Sequence, residues 1–451
     1  MAKEKQVFFC TECGFESAKW LGQCPACKAW NTFSEERIKV SAKGSAKALR
    51  DAVKPTSILD VKTADETRIK TGIAELDRVL GGGIVCGSLV LVGGDPGIGK
   101  STILLQMCRN LTALGTEVLY VSGEESASQI KMRAERLGSF DRDMTLLCDN
   151  DMANVSEVIG KSHASVVIID SIQTMLVDEI GGAPGTVTQV REVTARLMQL
   201  AKQNNTAIFI VGHVTKEGTV AGPRTLEHMV DSVLYFEGDA SGSFRVLRGV
   251  KNRFGSTNEV GVFTMTERGL EEVDNPSSMM LNGRPKGVSG SAVISTIEGT
   301  RAILLELQAL VTQTNFNMPR RTSVGIDYNR VNLIMAVMEK RANMNLWGFD
   351  AYVSIAGGMR ISDPAADLGI ACAIASSMKG KAIPEDTAII GEIGLAGEIR
   401  GVTNVLQRAK EADKMGFHTL ILPSSNIDKH VQALDIKLIG VSSLSEALSH
   451  I

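Results

Sequence analysis

The sequence predicts an α/β fold in which a largely parallel, doubly wound sheet follows a small cysteine-rich module. Short apolar runs typical of buried strands recur at 118–123, 165–170, 207–214 and 232–238. Helical patterns near 126–138 and 186–203 separate some of these runs, which is the spacing of βαβ units. Four of the eight cysteines form two Cys-x-x-Cys pairs before residue 30.

Length and charge limit the possible classes of protein. The chain has 451 residues, enough for two or three domains, and its 44% hydrophobic and 22% charged residues are ordinary for a globular protein. The formal net charge of −3 excludes a globally basic nucleic-acid binder. The stretch 37–55 is rich in lysine and arginine and predicts a basic linker. Because no secretory signal or long apolar run is present, we expect a cytoplasmic protein that does not contact membranes.

The cysteine-rich module covers residues 1–36. Cys10 and Cys13, and then Cys24 and Cys27, form two pairs with ten residues between them. Two such turns aimed at one point complete the tetrahedral sulfur shell that Zn²⁺ prefers, and four thiolates leave no open coordination position. The spacing therefore predicts one structural zinc per chain; two disulfides or unrelated thiols are the alternative.

A phosphate-binding loop covers residues 94–101. It follows the predicted strand SLVLVGG and opens the helical pattern KSTILLQMCRNLTALG. Its glycines let backbone N–H groups surround phosphate oxygens of ATP, Lys100 is expected as an exposed loop lysine that neutralises their charge, and Ser101 is expected to bind Mg²⁺. The expected ATP-binding residues are Gly94, Asp95, Pro96, Gly97, Ile98, Gly99, Lys100, Ser101 and Thr102.

Acidic residues after two predicted strands complete the expected ATPase site. Asp170 ends the run VVIID, where a carboxylate can hold the water shell of Mg²⁺. Glu124 and Glu125 follow the strand before it, and either can orient and deprotonate the attacking water. The alternative is an acidic pair that only caps the next helix.

The segment LDRVLGGGIVCGSLVLVGGDPGIGKST (76–102) resembles the core of RecA-type ATPases. With the cysteine pairs and the pentapeptide KNRFG at 251–255, the chain is similar to the bacterial RadA family, also called Sms. The resemblance implies a RecA-like ATPase domain over 56–275 and a DNA-dependent ATPase of homologous recombination and DNA repair. It also implies a homohexameric ring that binds single-stranded and branched DNA and drives branch migration or unwinding together with RecA. A KaiC-like regulatory ATPase without DNA remodelling is the alternative.

The same resemblance gives roles to three further residues. In RecA-type assemblies the nucleotide lies between subunits, so Arg253 is expected to reach a neighbour's γ-phosphate as an arginine finger, with Lys251 as its partner or sensor. Residues i and i+2 of an extended segment project to one side, which fits one shared target. A solvated or DNA-facing basic turn is the alternative. His213 lies where such ATPases place a polar γ-phosphate sensor, and a structural histidine is the alternative.

Two glycine-rich segments, 174–192 and 213–228, are long enough to protrude as DNA-binding loops. Lys216 and Arg224 are the cations of the second segment. They are expected to engage phosphates without reading bases, which gives binding that tolerates any sequence and weakens with salt.

Residues 285–451 are similar to the proteolytic domain of Lon, through the stretches GFDAYVSIAGGMRISDPAADLGIACAIASS and IIGEIGLAGEIRGVTNVLQRAKEA. Lon-type hydrolysis needs a serine activated by a lysine. The serine position holds Ala365 and the lysine position holds Leu406, while the nearby Arg408 and Lys410 are not expected at the same point. We therefore expect a proteolytically inactive domain that holds the ring together, against the alternative of an ATP-dependent protease. Its expected phosphate track for duplex DNA comprises Arg284, Lys286, Arg320, Arg321 and Arg330.

Overall fold

The computed structural model describes residues 3–10, 15–40, 68–213, 226–237, 244–257, 259–316, 318–356 and 359–451. The chain divides into two compact units, Met1–Glu272 and Val273–Ile451. Three candidate site residues and most of the expected basic linker lie outside the described residues: Cys13, Lys216, Arg224 and 41–55. Within the described ranges, no helix is both long enough and apolar enough to span a membrane.

The cysteine-rich module forms a three-stranded antiparallel sheet with the order β2-β1-β3. Its strands are β1 (Lys3–Cys10), β2 (Glu16–Ser17) and β3 (Phe33–Val40). Because β3 continues to Val40, residues 37–40 lie in a strand and not in the linker to which their composition assigned them; the alternation Arg-Ile-Lys-Val is the strand pattern. Val7 and Phe9 of β1 are buried in the apolar cluster that covers one face of the larger sheet.

The rest of the first unit is built on a long mixed sheet. In chain order its elements are α1 (Ala74–Val79), β4 (Leu89–Gly93), α2 (Lys100–Ala113), β5 (Val118–Ser122), α3 (Ala127–Arg136), β6 (Thr145–Cys148), α4 (Met152–Lys161), β7 (Val166–Asp170), α5 (Val187–Asn204), β8 (Ala207–Val211), β9 (Ser232–Glu237), β10 (Phe244–Asn252), β11 (Val260–Thr266) and β12 (Gly269–Glu272). Over the described residues the strand order is β12-β11-β10-β9-β4-β8-β7-β5-β6.

The strands from β9 to β6 in this order are parallel, and β10 to β12 continue the sheet as an antiparallel meander. All residues of β4, β5, β7 and β8 are buried, as expected for strands with helices on both faces. Side chains of β4 alternate between the two cores: Val90 and Val92 pack with α2, and Leu89 and Leu91 pack with α4 and α5. The carboxyl ends of β4, β5, β7 and β8 therefore meet at one edge.

The second unit contains a seven-stranded mixed sheet in its described part, with the order β15-β16-β14-β13-β17-β20-β21, and a two-stranded sheet of β18 and β19. Its elements are α6 (Pro276–Met280), β13 (Ser291–Glu298), β14 (Arg301–Gln313), β15 (Arg321–Val324), α7 (Tyr328–Arg341), β16 (Phe349–Ile355), α8 (Asp367–Lys379), β17 (Thr387–Ile389), β18 (Glu392–Ile393), β19 (Ile399–Arg400), α9 (Val405–Lys414), β20 (Thr419–Pro423), β21 (Lys437–Val441) and α10 (Leu444–Ala447). Helix α8 is buried over most of its length, which explains its apolar sequence on all sides.

Candidate functional site

The P-loop joins the carboxyl end of β4 to the first residue of α2. Gly94, Gly97 and Gly99 have φ angles of 144°, 75° and 118°, which L-residues with side chains rarely adopt. Asp95, Pro96 and Gly97 form the exposed tip of the loop, and Ile98 is buried beneath it. Ser101 and Thr102 lie in the first turn of α2. A loop of this shape presents successive N–H groups at a helix N-terminus, which is an anion-binding arrangement.

Lys100 is buried, with 3% of its surface exposed, so the expectation of an exposed loop lysine is wrong. As the first residue of α2 it lies inside the loop, and its ammonium donates to the carbonyls of Gly94 at 2.8 Å and Asp95 at 2.9 Å. Burial lowers the pKa of Lys100 to about 8, and the carboxylates of Asp170, Asp95 and Glu124 partly oppose this shift. An anion that replaces the two carbonyls as the hydrogen-bond acceptor would favour the protonated, charged form of Lys100.

Asp170 lies at the carboxyl end of β7 beside the P-loop and is 7% exposed. One of its carboxylate oxygens accepts a hydrogen bond from the hydroxyl of Tyr120 at 2.6 Å. Burial, followed by the negative charge of Asp170, raises the pKa of Tyr120 well above its ordinary value. The tyrosine therefore stays a neutral donor and fixes the orientation of the carboxylate, which leaves its other oxygen available to a hydrated cation.

The two glutamates after β5 have different partners in the structure. Glu124 is 45% exposed in its side chain, accepts a hydrogen bond from the hydroxyl of Ser171, and contributes to the field at Lys100. Glu125 forms an ion pair with Arg133 of α3. Ser126 caps α3 through a capping box, so neither glutamate is the helix cap that the alternative proposed. Glu124 alone faces the P-loop side of the sheet edge.

His213, two residues beyond β8, lies beside Glu124, with 3.9 Å between its Nε2 atom and a carboxylate oxygen. Its Nδ1 atom is buried and, among the described residues, has no hydrogen-bond partner. Burial, followed by the charge of Lys100, lowers the pKa of His213. A neutral imidazole with one unsatisfied nitrogen is therefore available at the edge where a γ-phosphate would lie.

Arg253 lies level with the start of β4, at the opposite end from the P-loop, and Lys251 lies level with Leu91 in the middle of that strand. Asn252 pairs with Ser232 at the start of β9, and the backbone N–H of Arg253 donates to the carbonyl of Asp231, whose own N–H donates to Leu89. The four-residue rise from Leu89 to Gly93 places this end roughly 13 Å below the P-loop. Neither cation can reach the P-loop of its own chain, because the sheet lies between them.

The side chains of the two cations share one side of the chain, as their spacing predicts. The ammonium of Lys251 donates to the carbonyls of Glu227 at 2.7 Å and Val230 at 2.8 Å. Arg253, with 52% of its side chain exposed, pairs with the carboxylate of Asp231 at 2.8 Å. Burial and the charge of Arg253 lower the pKa of Lys251. Arg253 is thus the more accessible cation, and Lys251 is the more firmly held.

The sulfur atoms of Cys10, Cys24 and Cys27 lie within 4.8 Å of one another. The sulfurs of Cys10 and Cys27 are 3.6 Å apart, close to the roughly 3.8 Å between two thiolates that bind one tetrahedral zinc at 2.3 Å. A disulfide requires about 2.05 Å, so Cys10 and Cys27 are not joined by one. The donor set therefore fits zinc, with the fourth expected ligand, Cys13, outside the described residues.

An ion pair between Arg408 and Asp363 lies two residues from Ala365, the position that corresponds to the Lon nucleophile. Ala365 is fully buried, and Asp363 beside it accepts a hydrogen bond from the guanidinium of Arg408 at 2.6 Å. Arg408 is 1% exposed and also donates to the carbonyls of Ser295 and Thr403. The expectation that Arg408 lies away from this point is wrong, because its long side chain reaches back from α9. A guanidinium stays protonated in proteins and cannot act as the base.

The cations of the expected DNA track differ in their surroundings. Arg320 is exposed and stacks on Phe316 at 3.7 Å from the ring centroid, and Arg321 contacts the sulfur of Met335. Arg330 instead makes a two-pronged ion pair with the buried carboxylate of Asp367, so its expected role as a phosphate contact is wrong. A residue committed to a buried anion has a structural role.

Two site residues escaped the sequence reasoning. A tyrosine in the all-buried strand β5 needs a partner for its hydroxyl, and this signal could have linked Tyr120 to a nearby carboxylate. Arg245, the second residue of β10, is 4% exposed and donates to the carbonyl of Ile98 at 3.2 Å, where it supports the P-loop from behind. A lone arginine at the start of a strand gave no signal of that contact.

The parallel sheet, the P-loop before α2 and the aspartate that ends β7 define the class: this is a P-loop ATPase with a RecA-like core. Family descriptions match three parts of the chain: "Rubredoxin metal binding domain" at 8–35, "AAA domain" at 54–219 and "Subunit ChlI of Mg-chelatase" at 352–426. These matches support the expected zinc-binding module before the core and the expected Lon-like α/β domain after it.

Relatives match the chain over nearly its full length. DNA repair protein RadA of Halalkalibacterium halodurans is 53% identical over 451 residues, and that of Bacillus subtilis is 51% identical over 452; each alignment covers 99% of both chains. A solved structure described as the RadB recombinase aligns with 46% of this chain and 99% of its own at 26% identity and a TM-score of 0.36, too low to argue from. The chain belongs to the RadA family of DNA repair proteins. The expected family and fold class are thus confirmed.

Proposed function

We propose that this protein is a DNA-dependent ATPase of homologous recombination and DNA repair that works as a homohexameric ring. The observation that carries the proposal is the separation of the P-loop from Arg253 by the length of β4. Cations that cannot reach their own nucleotide are in the right place to serve another subunit's. The relatives' name, DNA repair protein, supports DNA as the partner. A regulator without DNA remodelling has no comparable support.

We assign the nucleotide to the P-loop, residues 94–102. Its backbone N–H groups and Lys100 would hold the phosphates, and Lys100 would exchange its two carbonyl partners for phosphate oxygens. Ser101 and the hydrogen-bonded Asp170 fit a magnesium ion, which when bound neutralises charge on the phosphates. Glu124 orients and deprotonates the attacking water, since Glu125 is committed to Arg133. His213, as a neutral donor or acceptor, acts as a sensor of the γ-phosphate and couples its presence to the segment 214–225 that follows in the chain.

In the neighbouring subunit's site, Arg253 stabilises charge on the transferred phosphoryl group. Its partner Asp231 is 5% exposed and is also held by the backbone N–H of Leu89, so Arg253 is oriented before it meets the neighbour. Lys251 keeps the 227–230 turn against the end of β10 and thereby acts as the partner of Arg253.

We assign DNA contacts to the two glycine-rich segments, 174–192 and 213–228, and to the second unit. Lys216 and Arg224 are the proposed contacts for single-stranded DNA, and Arg320 and Arg321 are proposed for duplex DNA. The chain thus divides, on this proposal, into a zinc module (1–36), a basic linker (37–55, shortened by the end of β3), an ATPase domain (56–275) and an inactive Lon-like domain (285–451). Action on branched DNA together with RecA, by branch migration or unwinding, is part of the proposal.

The test is ATP hydrolysis by the full chain with and without single-stranded DNA, and with casein as a protein substrate. We expect DNA to stimulate hydrolysis and casein to remain uncleaved. Extension of strand-exchange intermediates, alone and with RecA, tests remodelling. Hydrolysis that DNA does not change would remove the motor proposal and leave the regulatory ATPase.

Subunit mixing tests action between subunits. Arg253→Ala and Lys100→Ala subunits are each expected to be inactive alone, because one lacks the finger and the other a working P-loop. In mixed rings an intact P-loop meets an intact finger, so activity should return in part. No recovery at any mixing ratio would show that Arg253 does not act across an interface.

A further inference from the structure

Two segments that are near each other in sequence, 68–70 and 79–84, meet the KNRFG turn, which is distant from both along the chain. The guanidinium of Arg68 donates to the carbonyl of Phe254 at 2.6 Å with one nitrogen and to the carbonyl of Gly81 with the other. Residues 68–70 are held in place themselves, because Ile69 and Ile84 exchange two backbone hydrogen bonds of 2.9 Å. Arg68 therefore joins the turn after α1 to the turn after β10.

The two turns also touch through their backbones. A Cβ atom added to Gly81 would lie 3.0 Å from the Cα atom of Gly255, and one added to Gly255 would lie 2.9 Å from the Cα atom of Gly81. Asn252 completes the contact: its amide donates to the carbonyl of Val79 at 3.4 Å, and its oxygen accepts from the N–H of Phe254 at 2.9 Å. In the KNRFG pentapeptide, the side chain of Asn252 and the backbones of Phe254 and Gly255 thus contact the protein, while the side chain of Arg253 is half exposed.

The orientation of the Arg253 side chain therefore depends on the conformation of the turn that contains it. Residues 253–257 follow the end of β10 and contain no regular secondary structure. The N–H of Arg253 is bound to Asp231 on one side, and the carbonyl of Phe254 is bound to Arg68 on the other. A guanidinium can bind both Phe254 and Gly81 because its donors form a rigid planar fork.

We infer that Arg68 is a positioning residue that holds the KNRFG turn in the geometry needed for ATP hydrolysis in the neighbouring subunit. The inference rests on the proposed function of Arg253. Arg68 does not touch the nucleotide of its own chain, since it lies with the KNRFG turn at the end of the sheet opposite the P-loop. Arg68 therefore affects the Arg253 side chain that its subunit contributes to the neighbouring nucleotide site. It does not affect the nucleotide site formed by its own P-loop.

The experiment measures DNA-stimulated ATP hydrolysis by the full-length Arg68→Ala variant, alone and mixed with Lys100→Ala subunits. Alone, we expect a loss on the order of 10- to 100-fold, the effect of misplacing a catalytic group by about 1 Å, with nucleotide affinity unchanged. Mixing should restore activity, because the intact P-loop of Arg68→Ala then meets the well-positioned finger of Lys100→Ala. The rate of ATP hydrolysis by Arg68→Lys should lie between those of the unsubstituted protein and Arg68→Ala, because a single ammonium lacks the planar fork of the guanidinium.

Two controls separate positioning from general damage. Lys70→Ala removes a cation two residues away whose ammonium, within the described part of the chain, donates only to the carbonyl of Gly82, and this variant should hydrolyse ATP normally. Gly81→Ala and Gly82→Ala share the strain of a positive φ, at 82° and 115°. Only the Gly81 methyl meets the Gly255 backbone; the Gly82 methyl meets the Arg68 side chain at 3.5 Å. Gly81→Ala should therefore lose more hydrolysis than Gly82→Ala, and mixing should restore it.

Unchanged hydrolysis in Arg68→Ala would overturn the inference. Lost hydrolysis that mixing restores for Arg253→Ala but not for Arg68→Ala would also overturn it, because Arg68 would then act on its own subunit's site. If mixing restores neither variant, the proposed action of Arg253 across the interface fails and this inference fails with it.

Discussion

Replacing Arg408 with methionine is expected to destabilise the second unit by about 3–5 kcal/mol, the usual cost of leaving a buried charge without its partner. Arg408 is 1% exposed, and its loss removes one donor from Asp363 and one each from the carbonyls of Ser295 and Thr403. The carboxylate of Asp363 keeps the backbone N–H groups of Ile297 and Ala365 as donors. For a unit of this size the loss corresponds to a fall in Tm of roughly 6–20 °C.

The assay is thermal unfolding of the full chain, followed by a signal that resolves the two units. Arg400→Met is the matched control, since the same substitution there breaks an exposed ion pair with Glu398 and should change Tm little. Adding Asp363→Asn to Arg408→Met should recover part of the loss, because the uncompensated charge is then gone. A Tm for Arg408→Met equal to that of Arg400→Met would refute the reasoning, and peptidase activity should stay undetectable in every variant.

Three further predictions concern the first unit. Nucleotide affinity should weaken above about pH 8, by up to tenfold per pH unit, because free Lys100 with its lowered pKa loses a proton that the phosphate-bound form retains; Lys100→Arg should remove this dependence in a fluorescent-ADP titration. Glu124→Gln should reduce hydrolysis by about 10²–10⁴-fold with nucleotide binding intact, whereas an equal loss in Glu125→Gln would contradict the assignment of the base. Cys24→Ser should release the single zinc per chain in a colorimetric assay, and Cys86→Ser, outside the module, should retain it.

Motifs whose chemistry depends on near neighbours in the chain could be predicted from the sequence. The P-loop requires glycines, a lysine and a serine in one short segment, and the strand before it and the helix after it formed where the pattern placed them. The cysteine spacing predicted a cluster of four thiols, and the structure brings together the three that it describes. In both cases the contacts span few residues, so local spacing fixes them.

Contacts between distant segments could not be predicted in the same way. The choice between Glu124 and Glu125 depends on Arg133, nearly two turns into the next helix, and nothing in the glutamates themselves distinguishes them. Arg68 binds Phe254 across 186 residues of sequence, and Tyr120 binds Asp170 across 50. Such pairs are set by which strands become neighbours. The alternation of apolar and polar residues does not encode strand order.

The placement of the P-loop and of Arg253 at opposite ends of β4 has a consequence for assembly. A donor face and an acceptor face on opposite ends of a subunit cannot both be satisfied in a two-fold symmetric dimer, so any assembly that uses them is head-to-tail. An open chain of such subunits always leaves one terminal nucleotide without a finger and one finger without a nucleotide. If Arg253 acts in the neighbouring subunit as proposed, closing the chain removes both defects at once and gives every nucleotide a finger.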